Sequence, residues 1–294
     1  MTKVYDAFLF FNELDLLDIR LNTLDPYVDH FIISECDHSF SGNSKPFYYE
    51  ENKERFKKFH DKIIHVKHHN TDRVDFPLSF DDPRKQSLYE EIQNHFHNHN
   101  HKGAWSQAHW CRDFQHREFT KFGMLDIDDD DILIFSDLDE IPNPKLLVGV
   151  KDWCEPDTIY ALRQKMFHYY LNLNCPSEDD WWGPKVFRYG CAREKSIGEI
   201  RLLREDGTKS VKDGGWHFTS VGGIDSIKMK IESWGHQEFN NDSIKNNIEQ
   251  RVREGKDIFF RSEMQYVLLP VEESMPKYII DNREKFSELI MEEL

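Results

Sequence analysis

Two carboxylates stand one residue apart directly after a short apolar run in the middle of this chain. Residues 132–135 are all apolar, Asp137 and Asp139 follow, and Pro142 prevents a strand from continuing. An apolar run bounded in this way is typical of a buried parallel strand, and open α/β sheets bind ligands beyond the carboxyl ends of such strands. Two like charges held close together repel each other unless a cation lies between them. The pair therefore predicts Mg²⁺ or Mn²⁺ with a bound phosphate or diphosphate. The alternative is an acidic loop that caps a helix beginning after Asn143.

The charge and composition of the chain narrow the classes of protein to which it can belong. Its 294 residues carry 54 acidic and 38 basic side chains, a formal net charge of -16, which argues against nucleic acid as a partner. Five cysteines without a C-x-x-C pair indicate a reducing compartment rather than a disulfide framework or a zinc site. No apolar run approaches the roughly 20 residues of a membrane span, and the N-terminus lacks a signal-peptide pattern. We therefore expect no integral membrane segment and a cytoplasmic location.

Apolar periodicity predicts strands that alternate with helices in the first half of the chain. The predicted strands cover residues 4–11, 28–34, 63–66 and 132–137, and the predicted helices cover 13–24, 53–59 and 105–122. This β-α-β order predicts an α/β fold with a mostly parallel, Rossmann-like sheet flanked by helices. Later strands are predicted at 160–171 and 185–189, and later helices at 225–234, 243–254 and in the C-terminal tail. We expect one domain with a nucleotide-sugar-binding half at 1–143 and an acceptor-binding half at 144–294.

Several longer stretches resemble one enzyme family, in the same order along nearly the whole chain. They are residues 10–21, 29–35, Ser41-Gly42 with Lys45, Arg112, Arg117, and residues 137–142, 214–218 and 236–238. In these stretches the chain resembles glycosyltransferase family 17, the family of the β-1,4-mannosyl-glycoprotein 4-β-N-acetylglucosaminyltransferases, and segment 236–238 is similar to its microbial or viral branch. The resemblance implies a GT-A-type fold, a UDP-sugar donor (UDP-GlcNAc first), a divalent metal, a glycan or glycoprotein acceptor and inversion at the anomeric carbon.

The chemistry of glycosyl transfer assigns metal-binding roles to three of these residues. The leaving diphosphate develops negative charge, and Mn²⁺ or Mg²⁺ stabilises that charge as a Lewis acid. Asp139 is the predicted direct ligand, whereas Asp137 is predicted to bind the ion, a metal-bound water or the ribose. His217 is the first choice for a ligand from a distant loop, and His236 is the second. The alternative for His217 is a buried histidine bonded to the backbone.

Inversion also requires a general base that takes the proton of the attacking acceptor hydroxyl. Glu238 is the predicted base, and Asp213 and the acidic cluster at residues 178–180 are the other candidates. The alternative interpretation of Glu238 is a solvated carboxylate near the start of a helix.

Seven further side chains are predicted to bind the donor or to offset its phosphate charge. They are Glu13, Arg20, Glu35, Lys45, Arg112, Arg117 and Trp182. The two glutamates follow the first two predicted strands, the cations can pair with phosphate, and the tryptophan can stack on a sugar ring. The structural alternatives are pairing of Arg20 with Asp18 or Asp25, surface ion pairs of the other arginines, and core packing of the tryptophan.

Two other functions compete with glycosyl transfer. In haloacid-dehalogenase-like phosphohydrolases an Asp-x-Asp pair also follows an apolar strand, but that pair normally lies near the N-terminus and continues with Thr or Val. This chain has Ile141 at that position, and the pair lies at mid-chain. The other alternative is a non-catalytic carbohydrate-binding protein on a decayed transferase fold. The intact acidic and histidine positions argue against decay, and turnover of UDP-GlcNAc with Mn²⁺ would decide the question.

Overall fold

The structure of the protein is a computed structural model that describes residues 1–69, 78–98 and 107–293. Its strands are β1 (Val4–Phe10), β2 (His30–Cys36), β3 (Ile63–His68), β4 (Ile132–Asp137), β5 (Glu140–Pro142), β6 (Tyr160–His168), β7 (Leu173–Asn174), β8 (Trp181–Arg188), β9 (Lys209–Val211), β10 (Gly215–Thr219) and β11 (Val267–Leu268). Its α-helices are α1 (Leu14–Leu24), α2 (Tyr48–Asn52), α3 (Pro83–Asn98), α4 (Ala108–Phe119), α5 (Pro144–Leu147), α6 (Val150–Trp153), α7 (Ile197–Leu202), α8 (Ile224–Ser233), α9 (Asp242–Lys245), α10 (Ile248–Arg253), α11 (Val271–Ser274) and α12 (Lys277–Asp281). Short 3₁₀ helices lie at Lys53–Phe59, Thr120–Gly123, Pro176–Glu178, Tyr189–Cys191, Gln237–Phe239 and Ser287–Leu289.

Four strands run parallel in the order β3-β2-β1-β4. The acidic turn, residues 137–140, follows directly at the end of β4. Strand β1 is buried along its whole length, with Phe10 opposite Glu35 of β2 and Leu9 opposite Asp137 of β4. The carboxyl ends of these strands therefore meet at one edge of the sheet. The four strands predicted in this half are confirmed. The helix predicted at 105–122 corresponds to α4 and the turn after it, while residues 105 and 106 lie outside the described residues.

Beyond β4 the sheet is mixed, which corrects the expectation of a mostly parallel sheet. Strand β4 pairs antiparallel with β8, and β8 pairs antiparallel with β6. Strand β6 also pairs in parallel with β9 and β10, and β10 pairs antiparallel with β5. The antiparallel pairing of β6 with β7 follows from the short connection between them, since only a long crossover allows neighbouring consecutive strands to run parallel. The α/β class itself is confirmed.

Helices pack on both faces of the sheet. Neighbouring residues of β1 alternate between two apolar clusters: Phe8 packs with residues of α1 and α12, and Ala7 packs with residues of α7. The first cluster includes Ile134 and Ile279, so it contains residues from both predicted halves. Within the described ranges, no helix is both long enough and apolar enough to cross a membrane.

Candidate active site

The acidic turn at residues 137–140 joins β4 to β5 and is supported by one buried arginine. Arg20 of α1 donates hydrogen bonds to the main-chain carbonyls of residues 137, 138 and 140, at 2.8, 3.0 and 3.1 Å. The same guanidinium binds both oxygens of the buried Asp6, at 2.8 and 2.6 Å, and Oγ of Ser136 at 2.7 Å. Because a guanidinium presents its donors in a rigid plane, Arg20 fixes the backbone of the turn. Arg20 is fully buried, so its side chain supports the backbone of the turn. The prediction that Arg20 contacts the donor does not fit this position.

Asp137 is held by two arginines. Its Oδ1 accepts a hydrogen bond from Arg117 at 2.7 Å, and its Oδ2 accepts one from Arg201 at 3.0 Å. Burial alone would raise the pKa of Asp137, but the two cations lower this pKa well below its usual range. The carboxylate is therefore ionised, and both of its oxygens bind protein cations. Asp137 positions Arg117 by this contact, and it can accept a metal ion only if an arginine moves away.

Asp139 has two partners from the C-terminal half of the chain. Its Oδ1 lies 3.4 Å from Nε2 of His217 on β10, and its Oδ2 accepts a hydrogen bond from Nζ of Lys230 on α8 at 3.1 Å. Burial alone would raise the pKa of Asp139, but Lys230 and His217 lower it well below its usual range. Burial alone would likewise lower the pKa of Lys230, but Asp139 raises it. Both groups are therefore charged at neutral pH.

The Asp139–His217 pair has donor atoms that fit a divalent cation. An oxygen and a nitrogen 3.4 Å apart can both contact one ion, because ligands of small divalent cations lie about 2.0–2.2 Å from the metal. Nδ1 of His217 is buried and has no hydrogen-bond partner in the described part of the chain. In the free protein the ionised Asp139 favours the proton on Nε2, and Nε2 would serve as a ligand once a bound cation replaces that proton and Nδ1 carries it instead.

A cavity of about 540 Å³ opens beside the acidic turn. Asp139, His217 and Lys230 line it. The side of the cavity next to the parallel strands β1 and β2 is its parallel side. The residues that line this side are Phe11, His38, Phe40, Lys45 and Arg117. Its β6 side is lined by Met166, His168, Glu178, Trp181 and Arg261. A cavity lined by aromatic and apolar groups with a few convergent charges is typical of a small-molecule site.

Lys45 brings positive charge to the parallel side of the cavity. Its Nζ lies 3.6 Å from Oε1 of Glu35, and its side chain is almost entirely buried. Burial lowers the pKa of Lys45, although Glu35 acts in the opposite direction. Glu35 is fully buried and also binds the main-chain N–H of Tyr49 and Nε2 of His65, at 3.1 and 3.0 Å. Glu35 therefore supports Lys45 and does not itself reach the cavity.

The other predicted donor-binding residues divide between the cavity and its surroundings. Glu13 lines the cavity and also a second one of about 230 Å³, which adjoins Asp139 and Lys230. Arg112 donates a hydrogen bond to the carbonyl of Phe40 at 2.9 Å, so it supports the loop after β2. The ring of Trp182 packs against the guanidinium of Arg163, 3.9 Å from the ring centroid. It is Trp181, the preceding residue, that lines the cavity.

Neither of the preferred candidates for the general base lines the cavity. The Glu238 side chain is 58% exposed, and its Oε1 lies 2.7 Å from Nδ1 of His236, which does line the cavity. Asp213 is exposed, and its main-chain carbonyl accepts a hydrogen bond from Asn143 at 3.0 Å. Among the third group of candidates, Glu178 lines the cavity, whereas Asp179 is bound by the main-chain N–H of Met166 at 2.9 Å.

Four residues of the site were not predicted from the sequence. They are His168, Arg201, Lys230 and Arg261. Each is a single polar residue in a segment without a recognisable motif. Arg201 and Lys230 reach the acidic turn through contacts with Asp137 and Asp139, and His168 lies at the end of β6 opposite Thr219 of β10. The two adjacent tryptophans and the acidic cluster at residues 178–180 were the sequence signals for the β6 side of the cavity.

The acidic turn, with nearby cations and aromatic walls, lies where the parallel strands end, the edge at which open α/β sheets bind small molecules. The sequence model of Glycosyltransferase family 17 matches residues 1–80 and 74–292, and the chain belongs to this family. The predicted family is thus confirmed, and membership implies a transferase with a sugar donor and an acceptor. A comparison with curated proteins finds no match.

Proposed function

We propose that this glycosyltransferase is a metal-dependent inverting enzyme with a GT-A-type fold that moves GlcNAc from UDP-GlcNAc to a hydroxyl of a glycan acceptor. The Asp139–His217 pair is the observation that carries the proposal, because its donor atoms suit a cation that binds a diphosphate. The pair lies where the parallel strands β3-β2-β1-β4 end, the edge at which open α/β sheets bind nucleotides. Family membership argues against the phosphohydrolase alternative.

Asp139 and His217 would hold Mn²⁺ or Mg²⁺, which supplies Lewis acidity to the leaving diphosphate. The protein adds charge of its own, since Lys45, Arg117 and Lys230 line the same cavity. These cations stabilise the negative charge that develops as the bond from the anomeric carbon to the diphosphate breaks. They also make it possible for a chain of net charge -16 to bind an anion.

Lys230→Met is expected to weaken the binding of UDP in the presence of Mn²⁺. Lys230 binds Asp139 in the free protein, and its Nζ can turn to a diphosphate oxygen when the donor enters. A hydrogen bond to a charged group contributes about 1.5–3 kcal/mol, so the dissociation constant should rise by about 10- to 150-fold. Isothermal titration calorimetry measures this change.

Lys228→Met is the matched control, because Lys228 lies on the same helix but outside the cavity lining. If Lys230→Met bound UDP as tightly as the wild-type protein or more tightly, the assignment of Lys230 would be contradicted.

The donor nucleotide is tested by competition between nucleotides. With Mn²⁺ present, calorimetry should show UDP binding more tightly than GDP or CMP, because the family resemblance implies a uridine donor. Chelation of the metal with EDTA should weaken UDP binding, since an ion held by Asp139 and His217 would attract the diphosphate. Tighter binding of GDP would overturn the donor assignment and leave the fold and family unchanged.

A further inference from the structure

Glu178 forms a hydrogen-bonded group with two other residues on the β6 side of the cavity. It ends the 3₁₀ helix between β7 and β8, and His168 is the last residue of β6. Oε2 of Glu178 lies 2.7 Å from Nε2 of His168, and Oε1 accepts a hydrogen bond from Nη1 of Arg261 at 3.0 Å. All three residues line the cavity that contains Asp139. Neither the metal site nor the diphosphate cations use this group.

The other carboxylates that line the cavity are already engaged on its metal side. Asp113 pairs with Arg117 at 3.0 Å, and Asp137 binds the same arginine. Asp139 binds Lys230 and is the proposed metal ligand. Glu13 adjoins Asp139 in the second cavity and binds the main-chain N–H of residue 12. Glu178 also has partners, but His168 and Arg261 belong to the β6 side of the cavity and not to the proposed metal site, so Glu178 is the described cavity carboxylate that remains for chemistry on the acceptor.

We propose that the carboxylate of Glu178 is the general base that takes the proton of the acceptor hydroxyl, held in place by His168 and Arg261 as positioning residues. This inference rests on the proposed transferase function. In the step, the acceptor oxygen forms a bond to the anomeric carbon while the bond from that carbon to the β-phosphate oxygen of UDP breaks. The acceptor O–H bond breaks, its proton passes to Glu178, and the electron pair of the breaking glycosyl bond leaves with UDP.

The charge state and the lining of the β6 side both suit this role. His168 lowers the pKa of Glu178, and Arg261 adds to the effect, so the carboxylate is ionised and able to accept a proton. Burial lowers the pKa of His168, which keeps the imidazole neutral near pH 7. The rings of Trp181 and Phe259 line the cavity with Glu178 and offer flat apolar surfaces to a saccharide. The acceptor class that fits is a sugar hydroxyl.

Hydrolysis of UDP-GlcNAc with Mn²⁺ tests the proposal, because water then serves as the acceptor and loses its proton to the same base. Glu178→Gln should lower kcat by about 10²- to 10⁴-fold, the usual contribution of a general base, while the dissociation constant of UDP changes by no more than about twofold. Glu272→Gln is the matched control, since Glu272 is an exposed carboxylate paired with Arg283 outside the cavity lining. If Glu178→Gln lowered UDP affinity by the same factor as kcat, the assignment of Glu178 as the general base would be overturned.

Sodium azide separates a base from a residue that only shapes the site. Azide has no proton to lose, so it can attack the anomeric carbon without a base and release UDP and a glycosyl azide. Glu178→Ala should therefore recover UDP release when azide is added, whereas the wild-type rate should change little. Failure of azide to rescue, or a large loss in Glu238→Gln with full activity in Glu178→Gln, would overturn the assignment. A wild-type protein that turns over no UDP-sugar would instead overturn the transferase proposal itself.

Discussion

Asp139→Asn should lower the turnover of UDP-GlcNAc by more than about 100-fold while the protein stays folded. Loss of a group that only supports a metal ligand typically lowers metal affinity or activity by about 10- to 100-fold. A larger loss is expected here because Asp139 is proposed to contact the ion directly. The amide keeps the shape of the side chain but removes the negative charge that balances the cation. Steady-state rates measured over a series of Mn²⁺ concentrations should show weaker metal dependence as well as a lower kcat.

A matched variant excludes a general effect of losing one carboxylate. Asp281 is a half-exposed side chain paired with Lys277 on α12, so Asp281→Asn should leave turnover unchanged. Circular dichroism of both variants would show that the fold is kept. An Asp139→Asn protein with wild-type kcat and wild-type Mn²⁺ dependence would show that the acidic turn does not bind the metal.

Arg20→Ala should destabilise the protein by about 3–5 kcal/mol, the usual cost of removing one partner of a buried ion pair. Asp6 and Arg20 are both fully buried, and their closest oxygen and nitrogen lie 2.6 Å apart. Without the guanidinium, Asp6 remains as an unpaired buried charge, and the carbonyls of the acidic turn lose their donors. Urea denaturation at neutral pH gives the change in the free energy of unfolding.

An exposed ion pair that includes a residue of the same helix provides the comparison for Arg20. Arg55 pairs with Asp15 of α1, and both side chains are substantially exposed, so Arg55→Ala should cost less than about 1 kcal/mol. The double variant Asp6→Ala with Arg20→Ala should cost less than the sum of the single variants, because it leaves no unpaired charge. If Arg20→Ala alone lowered the free energy of unfolding by less than about 1 kcal/mol, the Asp6–Arg20 pair would not be what holds the acidic turn in place.

The N-terminal half was predictable because its signals are local. Mostly apolar runs mark β1 and β4, and polar residues stand at or just after the end of each strand. Parallel neighbours must end at the same edge, so the sequence alone could locate Asp137 and Asp139 at the carboxyl-end edge of the sheet. The mixed sheet beyond β4 was missed because strand order and direction depend on pairings that no local pattern encodes.

The roles of individual polar side chains were harder to predict, for a different reason. Arg20 and Glu35 both lie near the site, but sequence spacing does not reveal that their side chains point into the protein and not into the cavity. Trp181 and Trp182 are adjacent in a strand, so they face opposite sides of the sheet, and only the pairing of β8 decides which of them reaches the cavity. Lys230 contacts Asp139 across 91 residues of chain, a separation that leaves no pattern in the sequence.

The central claim is that Asp139 and His217 bind a metal ion that activates a UDP-sugar. The most direct test is the rate of hydrolysis of a panel of UDP- and GDP-sugars by the wild-type protein, measured with Mn²⁺ and again with EDTA. We predict that UDP-GlcNAc is the best substrate and that EDTA abolishes its turnover. Equal rates with and without EDTA, or turnover of GDP-sugars alone, would contradict the claim.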